Sequence, residues 1–265
     1  MATTSTAAPQ PIDTRYRRII SIAVPVMLAN LAMPLQSLID TAVVGNMNAA
    51  ANLAGMGLAI QLLSLLLVSF NFLQYASSGL SAQALGQLSA STAAEDTTDN
   101  GSSNRSGSEQ MASALLSILQ RALVLAFIIG ALLLLAKPWL IEYGLQALSA
   151  NPASGVAAQT YLDVRFWGVI AELMNFAFIG WFAGQGKTRY MLYQQGFIAL
   201  LNIILTLFFV YGMGLGLVGV ALGTTIAFWS GVGLALWLSR QHLQLSWSAL
   251  FSTDAEYFTR SKMLR

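Results

Sequence analysis

Charge, cysteine and histidine are all scarce in this chain. Of its 265 residues only 9% are charged, against about 25% in an ordinary soluble domain, so ionised groups cannot cover a globular surface. The absence of cysteine excludes disulfide scaffolds, thiolate metal sites and thiol nucleophiles. A single histidine removes most zinc sites and most Ser-His or Cys-His catalysis. The net charge of +2 is small and scattered, which argues against a nucleic-acid partner. What abounds is apolar: 56% of the residues are hydrophobic and the mean hydropathy is +0.63. That content excludes disorder over most of the length and leaves an all-α polytopic membrane protein.

A transmembrane helix needs about 20 mostly apolar residues, and six stretches qualify: Ile19 to Val44, Leu53 to Tyr75, Leu115 to Ala136, Phe166 to Gly184, Tyr190 to Tyr211 and Leu215 to Ser239. Barrel strands would alternate apolar and polar residues. Runs such as Leu62-Leu63-Ser64-Leu65-Leu66-Leu67-Val68 do not, and a lipid-embedded backbone that satisfies itself is helical. The expected architecture is a six-transmembrane-helix bundle over residues 19–240, preceded by a tail (1–18) and followed by another (241–265). Residues 89–110, with Glu95, Asp96, Asp99 and a Gly-Ser-Asn-rich centre, read as a solvated, disordered loop.

Basic residues set the orientation. With the N-terminus cytoplasmic, Arg15, Arg17, Arg18, Arg105, Arg121, Lys187, Arg189, Arg240, Arg260, Lys262 and Arg265 fall inside, and only Lys137 and Arg165 outside. This positive-inside bias places both termini in the cytoplasm. The polar start and the length of the first apolar run fit an uncleaved first helix better than a secretory signal.

Two acids lie within the expected spans. Asp40 stands roughly 8 Å inside Gly45, and Glu172 roughly 10 Å below Arg165, at about 1.5 Å rise per residue. The reading therefore places them at similar depth in the outer half. An intramembrane acid faces a bundle interior or a wet cavity, and two at one wall can exchange protons or hold a cation. Plainer readings stand beside this one: Asp40 as a helix-end residue near headgroups, and Glu172 as a structural partner of Arg165, for which seven residues along one helix is a long reach. Pro34 predicts a kink in the first helix. Gly212, Gly216, Gly219 and Gly223 read as a close-packing stripe on the sixth.

Two tempting motifs fail. Gly186-Lys187-Thr188 lacks the glycine that a phosphate loop needs five residues earlier, where Trp181 stands. Gly79-Leu80-Ser81-Ala82-Gln83 lacks the closing glycine of a nucleophile elbow. With His242 beyond the last span, no enzyme is expected.

Ala23-Val24-Pro25-Val26-Met27-Leu28-Ala29-Asn30, Pro34-Leu35 and Leu38-Ile39-Asp40-Thr41-Ala42-Val43-Val44-Gly45 resemble the multidrug and toxic compound extrusion (MATE) family, in its DNA-damage-inducible F (DinF-like) branch. Leu53-Ala54-Gly55, Gly79 to Gly86, Tyr161-Leu162-Asp163-Val164-Arg165, Gly180-Trp181-Phe182-Ala183-Gly184-Gln185 with Thr188-Arg189, Asn202-Ile203-Ile204-Leu205 and Gly219 to Thr224 continue the match in order. The resemblance implies the N-terminal lobe of a two-lobe, alternating-access antiporter in a bacterial inner membrane. Such a transporter exports small cationic or amphipathic compounds in exchange for H+ or Na+ and has no cofactor. The last residues, Arg260 to Arg265, look like the lead-in to a seventh helix, so that a second six-helix lobe is an expected partner.

The resemblance further implies that Asp40 is the cation-coupling acid, with Asn202, Thr206, Thr224 and Gln61 lining the cavity. Thr206 stands where the family's helix 5 acid is expected. Ala199 stands in place of an asparagine, Phe228 of the branch's helix 6 acid, and Ile170 of a helix 4 proline. Glu172 is then expected to supply the missing second carboxyl. The aromatic side chains Phe70, Phe72, Tyr75, Phe176, Phe178 and Trp181 are open to substrate, lipid or packing roles. Two other functional readings remain: a non-transporting fragment that needs a partner half, and a lipid-linked oligosaccharide flippase, which calls for a more basic cavity.

Overall fold

In a computed structural model, residues 12–47, 50–95, 103–148 and 151–243 are described, with backbone alone at 12–19, 21–22, 88–95, 103–110 and 243. Most of the expected N-terminal tail, the centre of the polar loop and nearly all of the C-terminal tail lie outside them. Nine α-helices make up the described chain: α1 (Ile12–Gly45), α2 (Ala50–Val68), α3 (Phe72–Glu95), α4 (Ser103–Leu135), α5 (Lys137–Ala147), α6 (Pro152–Arg165), α7 (Val169–Gly184), α8 (Thr188–Leu207) and α9 (Gly216–Leu243).

They form six segments long and apolar enough to cross a membrane: Ala23–Gly45, Ala50–Gln87, Met111–Leu135, Pro152–Gly184, Thr188–Gly212 and Gly216–His242. The expected six-helix, all-α fold is therefore present, with longer second and fourth segments. The second joins α2 to α3 through a turn at Ser69–Asn71. The fourth joins α6 to α7 through a 3-10 turn at Phe166–Gly168. It starts at Pro152 because Asn151 caps it, accepting a hydrogen bond from the Ser154 amide at 2.9 Å, and proline suits a first helical position. Residues 89–95 and 103–110, expected as loop, continue α3 and α4 as helix.

The correction that matters for function concerns Arg165. It is not an exposed residue flanking the outer end of a span. It lies within the fourth segment, only 5% exposed, inside the bundle. Ordinary hydropathy reasoning missed this because the polar run from Gln159 to Arg165 interrupts the apolar pattern.

α1 packs on α8, α8 on α9, α2 on α6, and α3 and α4 on α7. Two apolar clusters result. One gathers Met56, Leu63, Tyr161, Leu162, Phe166 and Leu173. The other gathers Leu115, Phe178, Trp181, Phe182, Ile198 and Phe228. Phe178 and Trp181 are thereby packing residues, whereas Phe72 and Tyr75 are exposed. Buried polar atoms in such a core need partners, and the Trp181 indole donates to the Leu115 carbonyl at 2.9 Å.

Glycine acts in two distinct ways. Gly186 adopts φ +66° in the turn between α7 and α8. Gly223 lets α9 approach α8: a Cβ there would stand 2.9 Å from the Thr206 amide and hydroxyl. Of the expected packing stripe, Gly216 instead takes a left-handed conformation at the start of α9, φ +56°.

Candidate functional site

The first half of the site is built by α1, α8 and α9. Asp40 is buried near the end of α1, and its Oδ1 accepts a hydrogen bond from the Thr206 hydroxyl at 3.1 Å. One turn before Thr206, Asn202 donates through Nδ2 to the Thr224 hydroxyl at 2.8 Å, and Thr224 donates to the Val220 carbonyl at 3.0 Å. The Oδ1 of Asn202 is buried without a hydrogen-bond partner. Asn202 also lies within reach of the Asp40 carboxylate. Thus four expected site residues, Asp40, Asn202, Thr206 and Thr224, meet at one place. No salt bridge reaches Asp40 among the described residues.

Two other expected residues stand apart. Gln61 is exposed on α2 and is not among the hydrogen-bonded residues around Asp40. Pro34 is exposed in an α1 that stays helical through both of its prolines, Pro25 and Pro34. Its neighbour Met33 helps line a small pocket of about 20 Å³ with Glu172, Asn175, Phe176, Ile179, Gln195, Ile198 and Phe228.

Glu172 forms the second half of the site. Its Oε2 accepts from Nη2 of Arg165 in a buried ion pair. Seven residues are two helical turns, about 10 Å, and the reach judged long is met because the long arginine side chain runs along the helix past the Phe166–Gly168 turn. No hydrogen bond or ion pair joins Glu172 directly to Asp40 among the described residues. The guanidinium of Arg165 lies 4.7 Å from the centroid of the Phe228 ring, a cation–π arrangement.

Sequence reasoning missed the polar groups around these two halves. Asn175 donates to the Ala171 and Phe228 carbonyls at 2.8 and 3.0 Å and accepts from Gln194 at 2.7 Å, tying α7 to α8 and α9. Tyr161 is buried beside Arg165, Asp40 and Thr224. Gln36 is buried one turn before Asp40, with its Oε1 unpartnered. The signal was there: polar residues in apolar runs, with Gln36 and Asp40 four apart on one face. Among the described residues no cluster of three or more His, Cys, Asp or Glu side chains is placed to hold a metal ion. What the arrangement offers chemically is one buried carboxylate framed by hydroxyl and amide groups.

Comparison with known proteins places this arrangement. The chain is 28% identical over 224 residues to DNA damage-inducible protein F of Escherichia coli (strain K12), covering 84% of this chain and 44% of that protein. It is 25% identical over 228 residues to Protein DETOXIFICATION 45, chloroplastic, of Arabidopsis thaliana, covering 84% and 39%. The chain thus spans less than half the length of these relatives. Among solved structures, the Vibrio cholerae MATE transporter VcmN in the bent form superposes with a TM-score of 0.71 at 18% identity, covering 92% of this chain and 50% of that one. An outward-facing multidrug resistance MATE family transporter of the MOP superfamily gives 0.69 at 19%, covering 89% and 48%. The chain thus shares the fold of one half of these solved structures. The MatE family profile matches residues 25–98 and 101–208, more than half of the chain, so this chain belongs to the MatE family.

Proposed function

We propose that the chain is the N-terminal lobe of a cation-coupled multidrug antiporter, exporting cationic or amphipathic compounds by alternating access in exchange for protons or sodium ions. Asp40 carries this reading. It is a buried carboxylate with neutral hydrogen-bond partners and no contacting base among the described residues. Burying a charge is costly unless it is paired, so a site of this kind favours the uptake of one cation. Asn202, Thr206 and Thr224 frame the carboxylate, and Glu172 is the second carboxyl in place of the acid absent at Thr206. Gln61, on the exposed face of α2, and Pro34 beside the pocket serve substrate contact and bending of α1. A bacterial inner membrane with both termini cytoplasmic is the setting that the basic-residue pattern favours.

Competition of cation and substrate for states open to opposite sides would couple their fluxes. The test is cation-driven efflux of ethidium, an aromatic lipophilic cation, from vesicles holding the intact protein. Asp40→Asn is expected to abolish gradient-driven efflux while ethidium still binds. Unchanged efflux in that variant refutes the assignment.

One observation favours a second reading, a half that acts only with a partner. The chain covers 44% of its Escherichia coli relative. Under that reading ethidium efflux requires co-reconstitution with a second six-helix lobe.

A further inference from the structure

Arg165 is the only buried basic side chain among the described ones, and it shares the bundle interior with two buried acids, Glu172 and Asp40. Its Nη2 is taken by Glu172. Its Nη1 is buried with no hydrogen-bond partner, in a gap that Thr225 also bounds, next in sequence to Thr224 of the Asp40 frame. Nη1 occupies space that Gly168 leaves open, since a Cβ at that glycine would come within 2.9 Å of it. A guanidinium presents its donors as a rigid fork. This fork is filled on one side only. Two acids and one base carry a surplus of one negative charge when all are ionised, so the guanidinium satisfies one carboxylate and leaves the other for a cation.

We propose that Arg165 is a counter-ion shared by Glu172 and Asp40, and that Glu172 is the positioning residue that holds it off Asp40. Glu172 thereby keeps Asp40 open to the coupling cation. When Glu172 loses its charge, Nη1 and Nη2 have one buried carboxylate left to pair with, and the guanidinium takes the place of the cation on Asp40. Glu172 thus acts through Arg165 and need not itself carry the transported cation. The functional consequence rests on the reading of Asp40 as the coupling group, whereas the exchange of partners does not require transport in order to be seen. A static clamp between α6 and α7, in which Asp40 takes no part, is the competing account.

Thermal unfolding of the intact protein in detergent separates the two through a double-mutant cycle, since independent sites add and coupled ones do not. Asp40→Asn is expected to lower Tm by about 4 °C or more beyond its wild-type effect when made in a Glu172→Gln background, because Arg165 then has no acid at all. Adding Arg165→Gln to both arms is expected to remove that excess. Equal shifts in the two backgrounds, or an excess that survives without Arg165, overturn the proposal. Where Glu172→Gln does not fold, Glu172→Asp keeps the charge, draws it back by one methylene and is expected to show the same excess in smaller measure; its absence there counts against the proposal equally. Should Asp40→Asn retain cation-driven efflux, the coupling reading fails while the cycle still decides whether Arg165 is shared.

Discussion

The hydroxyl of Thr206 on α8 donates to Oδ1 of Asp40 on α1 across 3.1 Å, joining side chains 166 positions apart. Both are buried, and the absence of a Cβ at Gly223 lets α9 press against the same threonine. A neutral donor thus stands where the family resemblance leads one to expect an acid. Thr206→Val keeps the shape and removes the hydrogen bond. Leaving a buried acceptor unsatisfied costs about 1–3 kcal/mol, so Tm is expected to fall by several degrees while the helical content measured by circular dichroism stays unchanged. A variant as stable as the wild type would show that the bond contributes nothing.

Asn202 tests the other side of the frame. Its Nδ2 is engaged by Thr224 while its Oδ1 is buried and unpartnered. Asn202→Leu trades one hydrogen bond for the removal of an unsatisfied oxygen, and the net stability change is expected within about 1 kcal/mol, since replacing polar groups by apolar ones of similar shape is often nearly neutral. Under the proposed cation coupling, protection of the protein against thermal unfolding by added H+ or Na+ is expected to drop severalfold, because the spare oxygen would then serve as a ligand position in the Asp40 frame. Undiminished protection would exclude Asn202 from the cation site.

How much of this was legible beforehand follows from where hydropathy is a good guide. Asn202, Thr206 and Thr224 came only through the family resemblance, whereas six apolar segments and Asp40, an acid interrupting an apolar run, were readable from hydropathy itself. Arg165 was not. Hydropathy assigns a basic residue at the edge of an apolar run to the membrane surface, and it cannot see that Asn151 and Pro152 begin a helix upstream that carries Arg165 into the bundle. The pairing with Glu172 was the plainer of the two readings of that acid, set against a reach of seven residues, and it is met by side-chain reach past the Phe166–Gly168 turn. The Asn175, Gln194 and Phe228 carbonyl network joins three helices, and which faces meet is decided by packing that no single segment encodes.

Lys137 and Asp163 offer a contrast with the buried pair. Their side chains meet at 2.7 Å but are 20% and 50% exposed, so solvent screens the attraction and the pair is worth about 0–1 kcal/mol. Lys137→Met is expected to move Tm by no more than a degree or two in high salt, whereas Arg165→Met leaves a buried Glu172 carboxylate unmatched and is strongly destabilising, by about 3–5 kcal/mol. A comparable loss in both variants, followed by thermal unfolding at low and high ionic strength, would contradict the burial of the Arg165 pair.

Close helix approach supplies the last prediction. At Gly180 a Cβ would stand 2.1 Å from the Gln74 carbonyl oxygen, and at Gly184 another would stand 2.2 Å from that of Ser78. The obstacle in each case is backbone, which cannot swing aside, so α3 and α7 must separate to admit even a methyl group. Overpacking of this kind costs about 1–3 kcal/mol. Gly196, on α8, has nothing within 4 Å of its Cβ position, and alanine there is expected to gain up to about 1 kcal/mol from helix propensity alone. Gly180→Ala and Gly184→Ala should therefore lower Tm while Gly196→Ala raises it or leaves it unchanged. Because α7 carries Glu172 and Asn175 on the same rigid helix that α3 braces, the two damaging variants should also weaken ethidium binding although neither glycine lines the pocket. Full binding in Gly180→Ala would mean that the seat of α7 on α3 does not govern the position of its polar face.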